Sequence, residues 1–249
     1  TDREFEWHYH DFHKIIVFLS GKVTYHIEGK AYHLKPRDIL LVSQGAIHKP
    51  EIDPSVPYER YIFWIRDDLS MQELNTCFQK ATDHSFNLVR IDSAVQEHLR
   101  DLLRELENSI KNQDFGDEIL SNALFTQFMV YVNRIFLQTS AIPDRRSYSS
   151  DSQVEQLLKY INRNLTEDLS IDRLSEKFFF SKYHMMRKFK NETGYTIHNY
   201  ITSKRLLLAR SLINEGTPVM KAAQMSGFND YTTFVRSYKK QFGNAPSHV

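Results

Sequence analysis

One helical pattern occurs twice near the C-terminus, and this repeat constrains the fold more than any other feature of the chain. Ser170 is placed to cap a helix running from Ile171 to Phe178, and Asp172 suits its first turn. After Phe179-Phe180, Ser181 opens a second helix that continues through Glu192 and is stopped by Gly194. The pattern returns with Pro218 in the first turn of a helix ending near Ser226, a turn at Gly227-Phe228, and a helix from Asp230 to Phe242. Arg187-Lys188-Phe189-Lys190-Asn191-Glu192-Thr193-Gly194 aligns with Arg236-Ser237-Tyr238-Lys239-Lys240-Gln241-Phe242-Gly243. Two short helices joined by a tight turn, the second one basic, form a helix-turn-helix candidate, and two such units are far more specific than one. A long helix, about Thr196 to Asn214, separates them. The stripe Val154, Leu157, Leu158, Ile161 and Leu165 predicts another helix upstream.

Charge follows the same division. Residues 151–249 hold 15 Lys and Arg against 9 Asp and Glu, whereas residues 1–150 hold 17 against 22. The halves therefore carry +6 and −5, which suggests a basic module that meets a polyanion joined to a module with another task. The boundary falls in the polar, aperiodic stretch 139–151. The single cysteine, Cys77, excludes an internal disulfide and any cysteine-cluster metal site. Apolar runs such as Ile15 to Leu19 are too short to span a bilayer. No secretory leader is visible, and a soluble cytoplasmic protein is expected.

The N-terminal half begins with short β-rich runs: Lys14–Leu19, Val23–Ile27, Ala31–Leu34, Ile39–Val42 and Tyr58–Ile65, spaced as in a sandwich or barrel. After Asp68 the period becomes helical. Leu99, Leu102, Leu103, Leu106 and Ile110 share one face. The segment 117–137 carries two stripes: Leu120, Leu124, Phe128, Tyr131 and Ile135, then Phe125, Met129, Val132 and Phe136. A helix apolar on two sides needs two partners, either its own domain throughout or its own barrel plus a second subunit.

Two resemblances add to this reading. Residues 152–247 resemble the DNA-binding domain of the AraC/XylS family, through Ser181-Lys182-Tyr183-His184, Arg187, Phe189-Lys190, Glu192-Thr193-Gly194, Arg205-Leu206, Gly227-Phe228, Phe234, Arg236, Lys239-Lys240, Phe242-Gly243 and Pro246. Ser175 and Ala222 depart from the family pattern. Residues 5–66 resemble a cupin, specifically the sensor domain of AraC-type regulators, through His8-Tyr9-His10-Asp11, Gly21, Ile27-Glu28-Gly29, Tyr32-His33-Leu34-Lys35-Pro36, Asp38-Ile39-Leu40, His48 and Tyr58-Glu59-Arg60. The expected class is therefore an α+β multidomain chain. A cupin or jelly-roll barrel with dimerisation helices (1–138, barrel 5–66, helices 70–138) precedes a linker (139–151) and an all-α domain with two helix-turn-helix units (152–249).

The family resemblance implies two recognition helices, each entering a major groove of duplex DNA. Met185 and Phe189 face the core of the first, leaving Lys182, Tyr183, Met186, Arg187 and Lys190 outward. In the second, Phe234 and Tyr238 face inward and Tyr231, Thr232, Val235 and Arg236 outward. Arginine offers a bidentate fork to guanine, and Met, Val and Thr meet thymine methyls. Lys190, Lys239 and Lys240 suit phosphates. Arg187 and Arg236 have an alternative use in internal ion pairs.

In the cupin, His8, His10 and His48 occupy three places of the family's metal pattern, but its acidic place falls at Lys14 or Ile15. A cation at that place repels a metal, so no metal and no cofactor is expected. A three-histidine zinc site and ordinary strand histidines stay open as alternatives. The favoured reading is a pocket for a small polar effector, a sugar or related metabolite, lined by His8, His10, Lys14, Tyr25, His48 and Trp64. Lys14 would anchor the ligand, unless it pairs with Asp11, Glu28 or Glu59. Together these features imply a ligand-controlled, sequence-specific transcription regulator, more an activator than a repressor. It would act as a homodimer and meet RNA polymerase. The alternative is a metal-dependent cupin enzyme with an appended helical domain.

Overall fold

The computed structural model of the chain describes residues 5–65, 73–83, 86–90, 93–112, 114–138 and 148–247. Six strands open the fold: β1 (His13–Ser20), β2 (Val23–Ile27), β3 (Lys30–His33), β4 (Ile39–Val42), β5 (His48–Ile52) and β6 (Glu59–Ile65). They are followed by α1 (Thr76–Asp83), β7 (Leu88–Val89), α2 (Ser93–Asn112) and α3 (Asp117–Gln138). The strands form two facing antiparallel sheets, ordered β6-β1-β4-β7 and β5-β2-β3-β8, where β8 is Tyr148–Ser150. Residues 139–147 of the expected linker lie outside the described residues. Its end is not linker but strand, since β8 pairs with β3.

The apolar run of β1 is explained by its two buried faces. Ile16 and Phe18 point between the sheets, with Val23, Tyr25, Ile27, Leu40 and Val42. Ile15 and Val17 point the other way, into a core shared with α1, α2 and α3. A strand covered on both sides loses the polar alternation of a half-exposed one. Lys14 lies on the face of Ile16 and Phe18, inside the barrel.

The second stripe of α3 packs within its own domain. Met129 is 1% exposed and packs with Val132 and Phe136 in the same core as Leu124 and Phe128, while Phe125 tilts against Phe63 with ring centroids 5.6 Å apart. The α2–α3 hairpin therefore closes on one sheet, and both stripes pack within one domain, with Phe125, Tyr131 and Ile135 half-buried and Leu120 exposed. Along α2 the buried apolar stripe ends at Leu106, Ser109 is buried beyond it, and Ile110 emerges into solvent.

Six helices complete the chain: α4 (Ser152–Arg163), α5 (Ile171–Phe178), α6 (Lys182–Thr193), α7 (Ile197–Asn214), α8 (Val219–Met225) and α9 (Tyr231–Phe242). Local chemistry sets their starts. Asp151, Ser170, Ser181, Thr196 and Asp230 each accept a backbone N–H of the first turn, which satisfies donors the helix itself leaves open. Helices α4–α6 share one core with the start of α7, and α8–α9 share a second with its other end. Ile47, from the loop before β5, is buried in the first of these cores. No helix among the described residues is long and apolar enough to cross a membrane.

Candidate nucleic-acid interface and ligand pocket

Helices α6 and α9 are the second helices of the two repeated units. On α6, Met185 and Phe189 are buried, whereas Lys182, Tyr183, Met186, Arg187 and Lys190 are exposed. Arg187 lies 5.8 Å from the ring of Tyr183, and Lys182 pairs with Asp172 of α5. Lys188 turns inward, 2.8 Å from Asp151, and ties α6 to the cap of α4. On α9, Phe234 and Tyr238 are buried, and Tyr231, Thr232, Arg236, Lys239 and Lys240 are exposed. Val235 is half-buried against the core of its own unit, so it presents less surface outward than its position on the helix suggests. Among the described residues neither Arg187 nor Arg236 makes an ion pair, which leaves both guanidinium forks to solvent. Arg205 takes the internal role instead. Its Nε donates to the Leu165 carbonyl at 2.7 Å and its Nη2 to that of Glu167 at 2.8 Å, joining α7 to the α4–α5 loop.

The barrel brings together five of the six candidate ligand residues. Lys14 is 7% exposed and its Nζ lies 3.1 Å from His48 Nε2. His48 Nδ1 is 2.8 Å from the Ala46 carbonyl, which can only accept. That fixes the proton on Nδ1 and leaves Nε2 to accept from Lys14. The rings of His8 and His10 lie 4.4 and 5.1 Å from that of His48, and Tyr25 stacks on it at 5.9 Å. Burial, with the ammonium of Lys14 second, lowers His48 to about 2 and His10 to about 4. Burial, then repulsion from Arg60, lowers Lys14 to about 8. The sixth candidate, Trp64, sits directly opposite Lys14 on β6 but is 72% exposed. It stands at the open edge of the barrel, tilted against Phe12 at 6.1 Å, and Phe12 stacks on His10 at 4.5 Å.

Two further residues of this cluster, Tyr58 and Arg60, were not among the expected ligand residues. Arg60 lies 4.0 Å over the ring of Tyr58, and burial with the Tyr58 charge raises the Tyr25 phenol while Arg60 opposes the rise. The period of β6 held the signal, because Arg60, Ile62 and Trp64 share the face that opposes Lys14, Ile16 and Phe18.

His8, His10 and His48 bring nitrogen atoms within 4.8 Å of one another, so the geometry alone admits a metal. Two features of the donor set count against one. Lys14 donates to the very nitrogen of His48 that a metal would need, and the neighbouring carboxylate, Asp11, is held by Arg210 at 3.0 Å. Three imidazoles beside an ammonium offer no anionic ligand.

The same short segment touches both halves of the chain. His8 and His10 face the barrel, while Trp7 and Tyr9 pack on the core of the first helical unit and Asp11 meets Arg210. Further contacts join the halves. Glu28 accepts from Lys204 at 2.8 Å and from the Tyr200 hydroxyl, and Lys30 pairs with Glu155 at 3.1 Å.

Comparison with known proteins agrees with this architecture. Residues 1–129 match the AraC-like ligand binding domain, and residues 174–249 match a helix-turn-helix domain. The HTH-type transcriptional activator RhaS of Citrobacter koseri is 23% identical over 248 residues, covering 98% of this chain and 87% of RhaS. RhaS of Escherichia coli (strain SE11) is 22% identical over 249 residues, covering 99% and 87%. Among solved structures, ToxT from Vibrio cholerae O395 aligns over 98% of this chain and 92% of its own at 16% identity, with a TM-score of 0.41. The chain thus belongs to the AraC family of transcription regulators, with an AraC-like ligand-binding domain joined to a DNA-binding helix-turn-helix domain.

Proposed function

We propose that the protein activates transcription in the cytoplasm as a homodimer, switched by a small ligand in the barrel and placed on promoter DNA by α6 and α9. The observation that carries the DNA reading is the paired display of Lys182, Tyr183, Met186, Arg187 and Lys190 on α6 and Tyr231, Thr232, Val235, Arg236, Lys239 and Lys240 on α9. Arg187 and Arg236 read bases and the lysines neutralise phosphates. The activator sense follows the relatives named RhaS, and an activator of this kind contacts RNA polymerase. Residues 7–11 carry the state of the pocket to the helical domain, because alternate side chains of this segment touch each.

The donor set that disfavours a metal also disfavours a cupin enzyme. Dimerisation uses the exposed tip of the α2–α3 hairpin, where Phe115 and Ile119 face solvent, rather than Phe125 and Met129. Ile119→Asp should then give a folded monomer by sedimentation, whereas Met129→Asp should unfold the domain.

The deciding experiment measures DNA affinity as a function of salt. Affinity should fall linearly on logarithmic axes, with Lys239→Ala lowering the slope on every sequence. Arg187→Ala or Arg236→Ala should cost about 1–3 kcal/mol on the cognate site and relax base choice at one position. Equal losses on cognate and random DNA would make both arginines phosphate contacts.

A further inference from the structure

Lys14 poses a problem that its surroundings do not solve. It is an ammonium at 7% exposure inside an apolar barrel, and its partner there is an imidazole held neutral by burial. Each acid named as an alternative partner is engaged elsewhere. Asp11 pairs with Arg210, Glu28 with Lys204, and Glu59 accepts from Ser20 at 3.2 Å. Among the described residues no carboxylate reaches Lys14. The charge that acts on it is a second cation, Arg60, which repels it. Burying an ammonium without a counter-ion is costly, and a fold that keeps one there has left a place for an anion.

We infer that the barrel binds a small organic monocarboxylate, its head group paired with Lys14 and its body lying against Trp64 and Phe12 at the open edge. This rests on the reading of the barrel as the ligand pocket and names the chemical class that pocket selects. A single negative charge matches the one buried ammonium at this site, and a dianion would leave an excess charge beside it. Arg60, exposed on the inner face of β6, lies on the way in and draws the carboxylate toward the mouth. The rim of Trp64, Phe12 and His10 offers flat faces to a sugar ring or an arene, so a ring acid suits it better than a bare short-chain acid. The lowered pKa of Lys14 reports the same unmet charge from the proton side.

The test uses the full chain and matched probes that differ in charge: glucuronate against glucose, and benzoate against benzamide. Sodium chloride at equal ionic strength serves as the reference. Thermal melting and tryptophan fluorescence are followed for the wild type, Lys14→Met and Arg60→Ala. The acids should raise the melting temperature above the chloride reference, and the neutral partners should not. Lys14→Met should melt higher than the wild type without ligand, because it removes a buried charge, and should bind the acids at least tenfold more weakly. Arg60→Ala should weaken them severalfold. A neutral probe stabilising as much as its acid would overturn the anion while leaving the barrel a ligand pocket. Acids no better than chloride, or an unchanged response in Lys14→Met, would also overturn it. One zinc bound per chain, with no organic probe acting, would overturn the pocket reading as well.

Discussion

His48 is fully buried, with Nδ1 donating to Ala46 and Nε2 accepting from Lys14, so the fold has room for its neutral form only. Its folded pKa of about 2, set first by burial and then by Lys14, lies far below the 6.5 of a free imidazole. Between those values the unfolded chain binds a proton that the folded chain refuses, so stability is complete above pH 6.5 and falls as the pH drops. His10, lowered to about 4, adds in the same direction over a narrower window. Denaturation at pH 7.5 and pH 5 should therefore show a loss approaching about 1.4 kcal/mol per pH unit from His48 alone. His48→Gln should flatten that dependence, and an equal slope in the variant would show that His48 does not set it. At this scale the sequence already pointed to this cluster, because Lys14 stands where a cupin pattern wants an acid. Arg60 stayed hidden, since an arginine on a strand reads as a solvated charge until the register sets it on the face opposite Lys14.

Among the elements, the helices were the most legible, because caps and periods are local. The expected helix from Ile171 to Phe178 is α5 to the residue, and α6, α7 and α9 agree within a residue or so at each end. Strand β5 was not seen, since Pro50 breaks its pattern and is tolerated only because β5 is an edge strand. The packing of both α3 stripes within one domain was undecidable from periodicity, which reports that two faces are apolar but not what covers each. The turn between α8 and α9 supports a direct test. Gly227 has φ +88°, and a Cβ there would come within 2.6 Å of the Leu165 carbonyl oxygen and 2.9 Å of Arg205 Nε. Backbone cannot yield as a flexible side chain does, so Gly227→Ala disturbs the Arg205 bridge from α7 to the α4–α5 loop. Gly243 has φ +82° with nothing within 4 Å of such a Cβ, and isolates the conformational cost alone. Chemical denaturation should show Gly243→Ala losing about 1 kcal/mol and Gly227→Ala about 2–3 kcal/mol. Equal losses would mean that the crowding is relieved without cost.

The charge split between the halves has a second use at the scale of the whole molecule. Lys204 and Arg210 belong to the basic half but face the barrel, paired with Glu28 and Asp11 of the acidic half, and so are not available to DNA. Composition could not reveal this, because it counts charges without saying where they point. Glu28 is the centre of the junction. It accepts from Lys204, from the Tyr200 hydroxyl and from the Ile47 backbone N–H at 2.9 Å, and Ile47 is itself buried in the helical core. Removing one member of a buried ionic group leaves the others desolvated and unpaired, which typically costs about 3–5 kcal/mol. In Glu28→Ala the ammonium of Lys204, with its side chain only 15% exposed, loses its counter-ion, and the cost falls on the joint rather than on either core. Calorimetry should therefore show one transition for the wild type and two for Glu28→Ala, the first at lower temperature. Glu28→Ala with Lys204→Met should recover part of the loss, since the stranded charge is gone and an apolar chain of similar length fills its place. A single transition at the wild-type temperature in Glu28→Ala would mean that Ile47, Trp7 and Tyr9 hold the halves together without the ionic group.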